Sequence, residues 1–143
     1  MTLIIVSLTA LNFQTTLKYK LTSSNWFITG HLPSNDLILT KTKKQSGYMI
    51  FNFKPDNKIV YLGELSVDCP VGDFTLKEGN WNLNGDFLTV EIKGLVIADY
   101  WYWYKVKYKI DHLSENQIKF KVIEVIKNRE IKPTSTWEDL TKQ

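Results

Sequence analysis

The chain has 143 residues, 43% hydrophobic and 13% aromatic, which suits one domain with a sizeable core. Its formal charge of +3 is too small to argue for nucleic acid, and its basic residues are lysines apart from Arg129, which counts against bidentate reading of phosphate or guanine. The single cysteine, Cys69, has no partner for a disulfide and reads as a small apolar residue before the Pro70-Val71-Gly72 turn.

Met1 to Leu11 is an apolar run too short to span a bilayer but fitted to the core of an export signal. Residues 1–14 are therefore expected to direct the protein to a secreted or periplasmic location. An N-terminal strand packed on the domain is the alternative. After a polar connection at Gln14-Thr15-Thr16, a first strand is expected from Asn25 to Thr29, a turn-rich loop from Gly30 to Asp36, and a second strand from Leu37 to Lys43.

Tyr48–Phe53 and Lys58–Leu62 form a hairpin around Lys54-Pro55-Asp56-Asn57. A four-residue loop there sets Phe53 opposite Lys58, Phe51 opposite Val60 and Met49 opposite Leu62. Gly63 to Val67 extends the strand before the Cys69 turn.

The stretch from Gly79 to Val90 carries the strongest local signal. Asn84-Gly85 suits a two-residue type I′ turn, which pairs Leu83 with Asp86, Asn82 with Phe87 and Trp81 with Leu88. Trp81, Leu83, Leu88, Val90 and Ile92 then share one face.

From Tyr100 to Ile110 the residues alternate: Tyr100, Tyr102, Tyr104, Val106, Tyr108 and Ile110 on one side, Trp101, Trp103, Lys105, Lys107 and Lys109 on the other. Gln117 to Lys127 returns after a turn. An in-phase register places Tyr108 by Phe120, Val106 by Val122, Tyr104 by Glu124 and Tyr102 by Ile126. The pattern blurs after Val122, where Ile123 and Val125 claim the other face; a bulge or burial on both sides accounts for that. Residues 129–143 form a polar tail, and the capping-box spacing of Ser135 and Glu138 predicts a short helix from Thr136 to Lys142.

Eight short strands joined mostly by tight turns predict an all-β fold, an antiparallel up-and-down eight-stranded barrel over residues 21–128. Such a barrel is filled by side chains or holds one small ligand.

Four motifs carry a family resemblance: Ser24-Asn25-Trp26 in the first strand, the aromatic strand Phe51 to Phe53 entering the Pro55-Asp56 turn, Gly-x-Trp-x-Leu-x-Gly-Asp-x-Leu from Gly79 to Leu88, and Tyr-x-Ile-x-x-Leu-Ser-x-Asn-x-Ile from Tyr108 to Ile118. In their order and spacing the chain resembles the bacterial lipocalin-like domains of exported proteins. The resemblance implies an eight-stranded calycin-type barrel with an interior pocket and carries over no catalytic residue.

Two candidate sites follow. If the tyrosine face points inward, Trp81, Leu88, Val90, Tyr102, Tyr104, Tyr108, Phe120 and Glu124 line a pocket for a small hydrophobic or amphipathic molecule, with the hydroxyls and the Glu124 carboxylate orienting its polar end. A bulge that turns Glu124 to the surface, or a core filled by the same rings, is the competing arrangement. The outer face then carries Trp101, Trp103, Lys105, Lys107, Lys109, Lys119 and Lys121, with Lys107 opposite Lys121 and Lys109 opposite Lys119. That face suits docking on an anionic surface such as lipid headgroups or an acidic polysaccharide. The exposed tryptophans call for a cover, either the tail around Trp137 or a partner. No nucleophile elbow, phosphate loop or metal-ligand spacing is present, and Asp111 and His112 are adjacent in sequence, so their side chains diverge. The expectation is a non-enzymatic binding protein without cofactor, metal or nucleic acid.

Overall fold

The computed structural model describes residues 14–30, 35–47, 49–63, 76–97 and 100–131, with the backbone alone for 95–97. The expected segments at 1–13, 64–75 and 132–143, with His31, Tyr48, Cys69 and Trp137, lie outside the described residues.

A helix, α1 (14–22), is followed by β1 (Asn25–Thr29), β2 (Leu37–Thr42), β3 (Ile50–Phe53), β4 (Ile59–Tyr61), β5 (Glu78–Asn84), β6 (Phe87–Ile97), β7 (Tyr100–Leu113) and β8 (Gln117–Ile131). The eight strands make one antiparallel sheet in the order β4-β3-β1-β2-β8-β7-β6-β5. Its two ends meet: Lys58 bridges to Asn80, the Trp81 amide donates to the Asn57 carbonyl at 2.8 Å, and the Lys58 ammonium donates to Asn80 Oδ1 at 2.8 Å. The predicted eight-stranded antiparallel barrel is therefore present, nearly closed at this seam. Gly79 permits the seam, since a Cβ there would stand 2.8 Å from both Cβ and the carbonyl oxygen of Ile59. One connection hops: residues 43–49 carry the chain past Asn25, whose Nδ2 donates to the Lys44 carbonyl, so that β1 lies between β2 and β3.

The core follows the two-residue alternation. Trp81, Leu83, Leu88, Val90, Ile92, Tyr104, Val106, Tyr108, Ile118 and Phe120 are buried. The helix α1 was not anticipated. Its signal is Leu17 and Leu21, one turn apart and both fully enclosed. Gln14 Nε2 donates to the Leu83 carbonyl at 3.1 Å and Trp26 Nε1 to the Leu21 carbonyl at 2.8 Å, so α1 covers the barrel end where Leu83 and Trp26 stand.

Three registers differ from expectation. At the β5–β6 hairpin the pairs are Asn84 with Phe87, Leu83 with Leu88 and Trp81 with Val90. The turn residues are Gly85 and Asp86 rather than Asn84 and Gly85. Gly85 alone takes a positive φ, 60°, at the first central position, which is the type II′ arrangement rather than I′. This displacement keeps every side chain on its expected face. At β3–β4 the pairs are Phe51 with Tyr61 and Phe53 with Ile59, one residue off the expected register. Asn57 is left-handed, with φ of 66°, and the Lys54 amide donates to the Lys58 carbonyl. The loop is therefore three residues, Pro55-Asp56-Asn57, and Val60 moves to the outside.

The third difference bears on function. Tyr108 pairs with Val122 and Ile110 with Phe120, whereas Lys107 pairs with Glu124, Val106 with Val125, Lys105 with Lys127 and Tyr104 with Asn128. Ile123 and Ile126 are the extra residues of two bulges in β8, a device that interrupts alternation and re-aims side chains. A third bulge at Asp111 sits on β7.

Candidate functional site

The interior was the first candidate site. Tyr104 and Tyr108 do face inward, and burial pushes both hydroxyls well above their ordinary pKa of 10.0. With Val90 they line the central cavity together with Phe51, Phe53 and Ile92. That cavity measures about 20 Å³, room for about one water molecule. Trp81, Leu88 and Phe120 are enclosed in the packed core. The Trp81 Nε1 donates to the Lys54 carbonyl at 3.0 Å and its ring meets Phe53 edge-on at 5.8 Å. Tyr102 is only half-buried, and its hydroxyl is raised in pKa by burial and by the Glu130 carboxylate that accepts its hydrogen bond. Glu124 does not enter the interior at all. The bulge at Ile123 turns it out, and it is exposed.

The outer face is the second candidate site. Across β5, β6, β7 and β8 its residues form parallel rows: Asn84, Phe87, Lys109, Lys121; then Asn82, Thr89, Lys107, Glu124; then Asn80, Glu91, Lys105, Lys127; then Glu78, Lys93, Trp103, Arg129. The expected opposition of Lys107 to Lys121 is replaced by Lys107 opposite Glu124, and Lys119 stands opposite His112 rather than Lys109. Two other like-charge pairs arise, Lys105 with Lys127 and Lys109 with Lys121. Acidic neighbours on β6 and in the β5–β6 turn offset them: Lys105 lies 3.5 Å from Glu91 and Lys109 lies 3.7 Å from Asp86.

The tryptophans are half-buried rather than exposed, and lysines cover them. The Lys127 ammonium sits 3.3 Å from the Trp103 ring centroid and Lys93 lies 5.0 Å from it, one from each neighbouring strand. Trp103 Nε1 donates to Glu91 at 3.1 Å. Lys77 lies 6.0 Å from the Trp101 ring. Such cation–ring contacts attract the ammonium groups toward the ring faces.

Between the middle rows lies a solvent-open groove of about 460 Å³, lined by Asn82, Asn84, Phe87, Thr89, Lys105, Lys107, Glu124 and Ile126. Sequence reasoning missed it, because alternation assigned Glu124 and Ile126 to the interior. The usable signal was the run Val122-Ile-Glu-Val-Ile126, which cannot alternate. Ile123, Val125 and Ile126 are 51%, 42% and 48% exposed.

Among the described residues, no group of three or more His, Cys, Asp or Glu comes together to hold a metal ion, and no helix is long and apolar enough to cross a membrane. No protein-family model, curated protein or solved structure matches the chain. The lipocalin-like resemblance thus rests on the sequence motifs alone.

Proposed function

We propose that this protein is an exported, non-enzymatic docking module of the lipocalin-like kind, which works through the outside of its barrel. The observation that carries this reading is the contrast between an interior cavity of about 20 Å³ and an outer groove of about 460 Å³ among lysines. Pockets for small ligands span roughly 300–1,000 Å³, a range that the cavity among the described interior residues falls well short of. The four rows hold seven cations (Lys93, Lys105, Lys107, Lys109, Lys121, Lys127 and Arg129). With Asp86 at the adjoining turn, they hold four carboxylates (Glu78, Asp86, Glu91 and Glu124). The positive surplus suits an anionic partner surface, and the half-buried Trp101 and Trp103 add flat apolar area beside it.

Polygalacturonate beads and phosphatidylserine vesicles serve as anionic probes. Retention on at least one is expected to fall as ionic strength rises from about 0.05 to about 0.5 M, because screening shortens the reach of exposed charges. Lys107→Glu is expected to weaken that retention roughly tenfold, with a small fall in melting temperature because it sets a second carboxylate opposite Glu124. Retention indifferent to both salt and Lys107→Glu would contradict the docking role.

A further inference from the structure

Glu124 and Ile126 reach the groove only because β8 is irregular. The two β8 bulges fall opposite the Lys105–Tyr108 stretch of β7, with Ile123 and Ile126 as the inserted residues. Without them, Glu124 and Ile126 would share the inward face of Val122, as simple alternation requires. Bulges interrupt the ladder and are concentrated where a side chain must be re-aimed. Here their result is a carboxylate on the outer wall of a lysine-rich groove, where a purely anion-binding surface would do better with none.

The polar groups around it are unspent. Glu124 stands directly opposite Lys107, yet no ion pair joins them; the Lys107 ammonium lies instead 4.8 Å from the Phe87 ring centroid. Among the described residues, the side chains of Asn82, Asn84, Thr89 and Glu124 make no hydrogen bond or ion pair. Two amides, a hydroxyl and a carboxylate thus present donors and acceptors to whatever occupies the groove. Phe87 on one side of β7 and Ile126 on the other supply short apolar walls. The rows immediately beyond hold the lysine pairs Lys109 with Lys121 and Lys105 with Lys127.

Within the docking role proposed above, we infer that the anionic partner is an acidic polysaccharide whose sugar hydroxyls bind in this groove. The amides of Asn82 and Asn84 and the Glu124 carboxylate exchange hydrogen bonds with hydroxyl groups. The flanking lysine rows take the acid groups of neighbouring sugars. From Lys105 to Lys109 the strand runs about 13 Å, the length of a short oligosaccharide. A phosphatidylserine headgroup can offer its ammonium to Glu124 but has no run of hydroxyls to satisfy the amides of Asn82 and Asn84 beside it.

Calorimetric titration with hexagalacturonate, and co-sedimentation with phosphatidylserine vesicles, separate the cases. The wild-type protein is expected to bind the hexasaccharide, and Glu124→Ala and Asn82→Ala are each expected to weaken it about tenfold, the effect of losing a hydrogen bond that involves charge or is well directed. Both residues are exposed, and each variant is expected to keep the wild-type melting temperature, which checks that its fold is intact. Tighter hexasaccharide binding by Glu124→Ala, the response of a bare cationic patch, overturns the inference, as does binding indifferent to both substitutions. Binding to vesicles but not to the hexasaccharide overturns it while the docking role stands. Failure to bind either probe removes both.

Discussion

Replacing Phe120 with alanine is expected to lower the free energy of unfolding by about 3–5 kcal/mol, the usual effect of removing an enclosed aromatic ring. Phe120 is fully buried, pairs with Leu37 on β2 and Ile110 on β7, and belongs to the packed cluster of the barrel core. A ring bordering an open ligand pocket would forfeit little more than its transfer term, because no new void would form. Urea unfolding measures the difference. A loss of about 2 kcal/mol or less, the transfer term alone, would mean that the centre of the barrel is loosely occupied. The same variant is expected to retain outer-face binding at temperatures where it is folded, since Phe120 touches none of the groove.

Alkaline unfolding gives the second large effect. Burial disfavours the phenolate of Tyr104 and, with the Asp36 carboxylate contributing, that of Tyr108. Below about pH 10 both states keep these protons and stability does not depend on them. Above it the unfolded chain releases two protons that the folded chain retains, so stability falls by about 1.4 kcal/mol per pH unit for each tyrosine until the folded groups ionise. The combined slope, about 2.7 kcal/mol per pH unit, is steep enough to unfold a domain of ordinary stability within a few units. Tyr104→Phe is expected to halve it while changing stability little at pH 8. Unfolding free energies between pH 8 and 11.5 test this, and an undiminished slope in Tyr104→Phe would show that its hydroxyl is already hydrated.

What the sequence made legible follows from period-two alternation, which is a property of neighbouring residues. It placed Trp81, Leu88, Val90, Tyr104, Tyr108 and Phe120 inside and Lys105, Lys107 and Lys109 outside, as the barrel has them. The turn at Gly85 was displaced by one position without harm, because that displacement preserves which side chains share a face. The turn at Asn57 was not forgiving, since one residue more or less in a loop inverts a strand, and Val60 was lost to the exterior.

Alternation left Glu124 open between the interior and a bulged, outward position, and the structure has the second. A bulge depends on what the partner strand does, and nothing in Val122 to Ile126 states where the extra residues fall. The helix at 14–22 was hidden because only Leu17 and Leu21 mark its buried side, and two residues make a faint periodicity. The cover over Trp103 was hidden as well. Lys93 and Lys127 are distant in sequence and meet only once three strands are paired.

The packed core of the described residues implies a barrel occupied by its own side chains. Native mass spectrometry of the freshly purified protein addresses it most directly. The expected mass is that of the bare folded chain, with no adduct that denaturation removes. A stoichiometric apolar or amphipathic molecule that leaves on unfolding would contradict it, because the interior would then have opened to hold a guest.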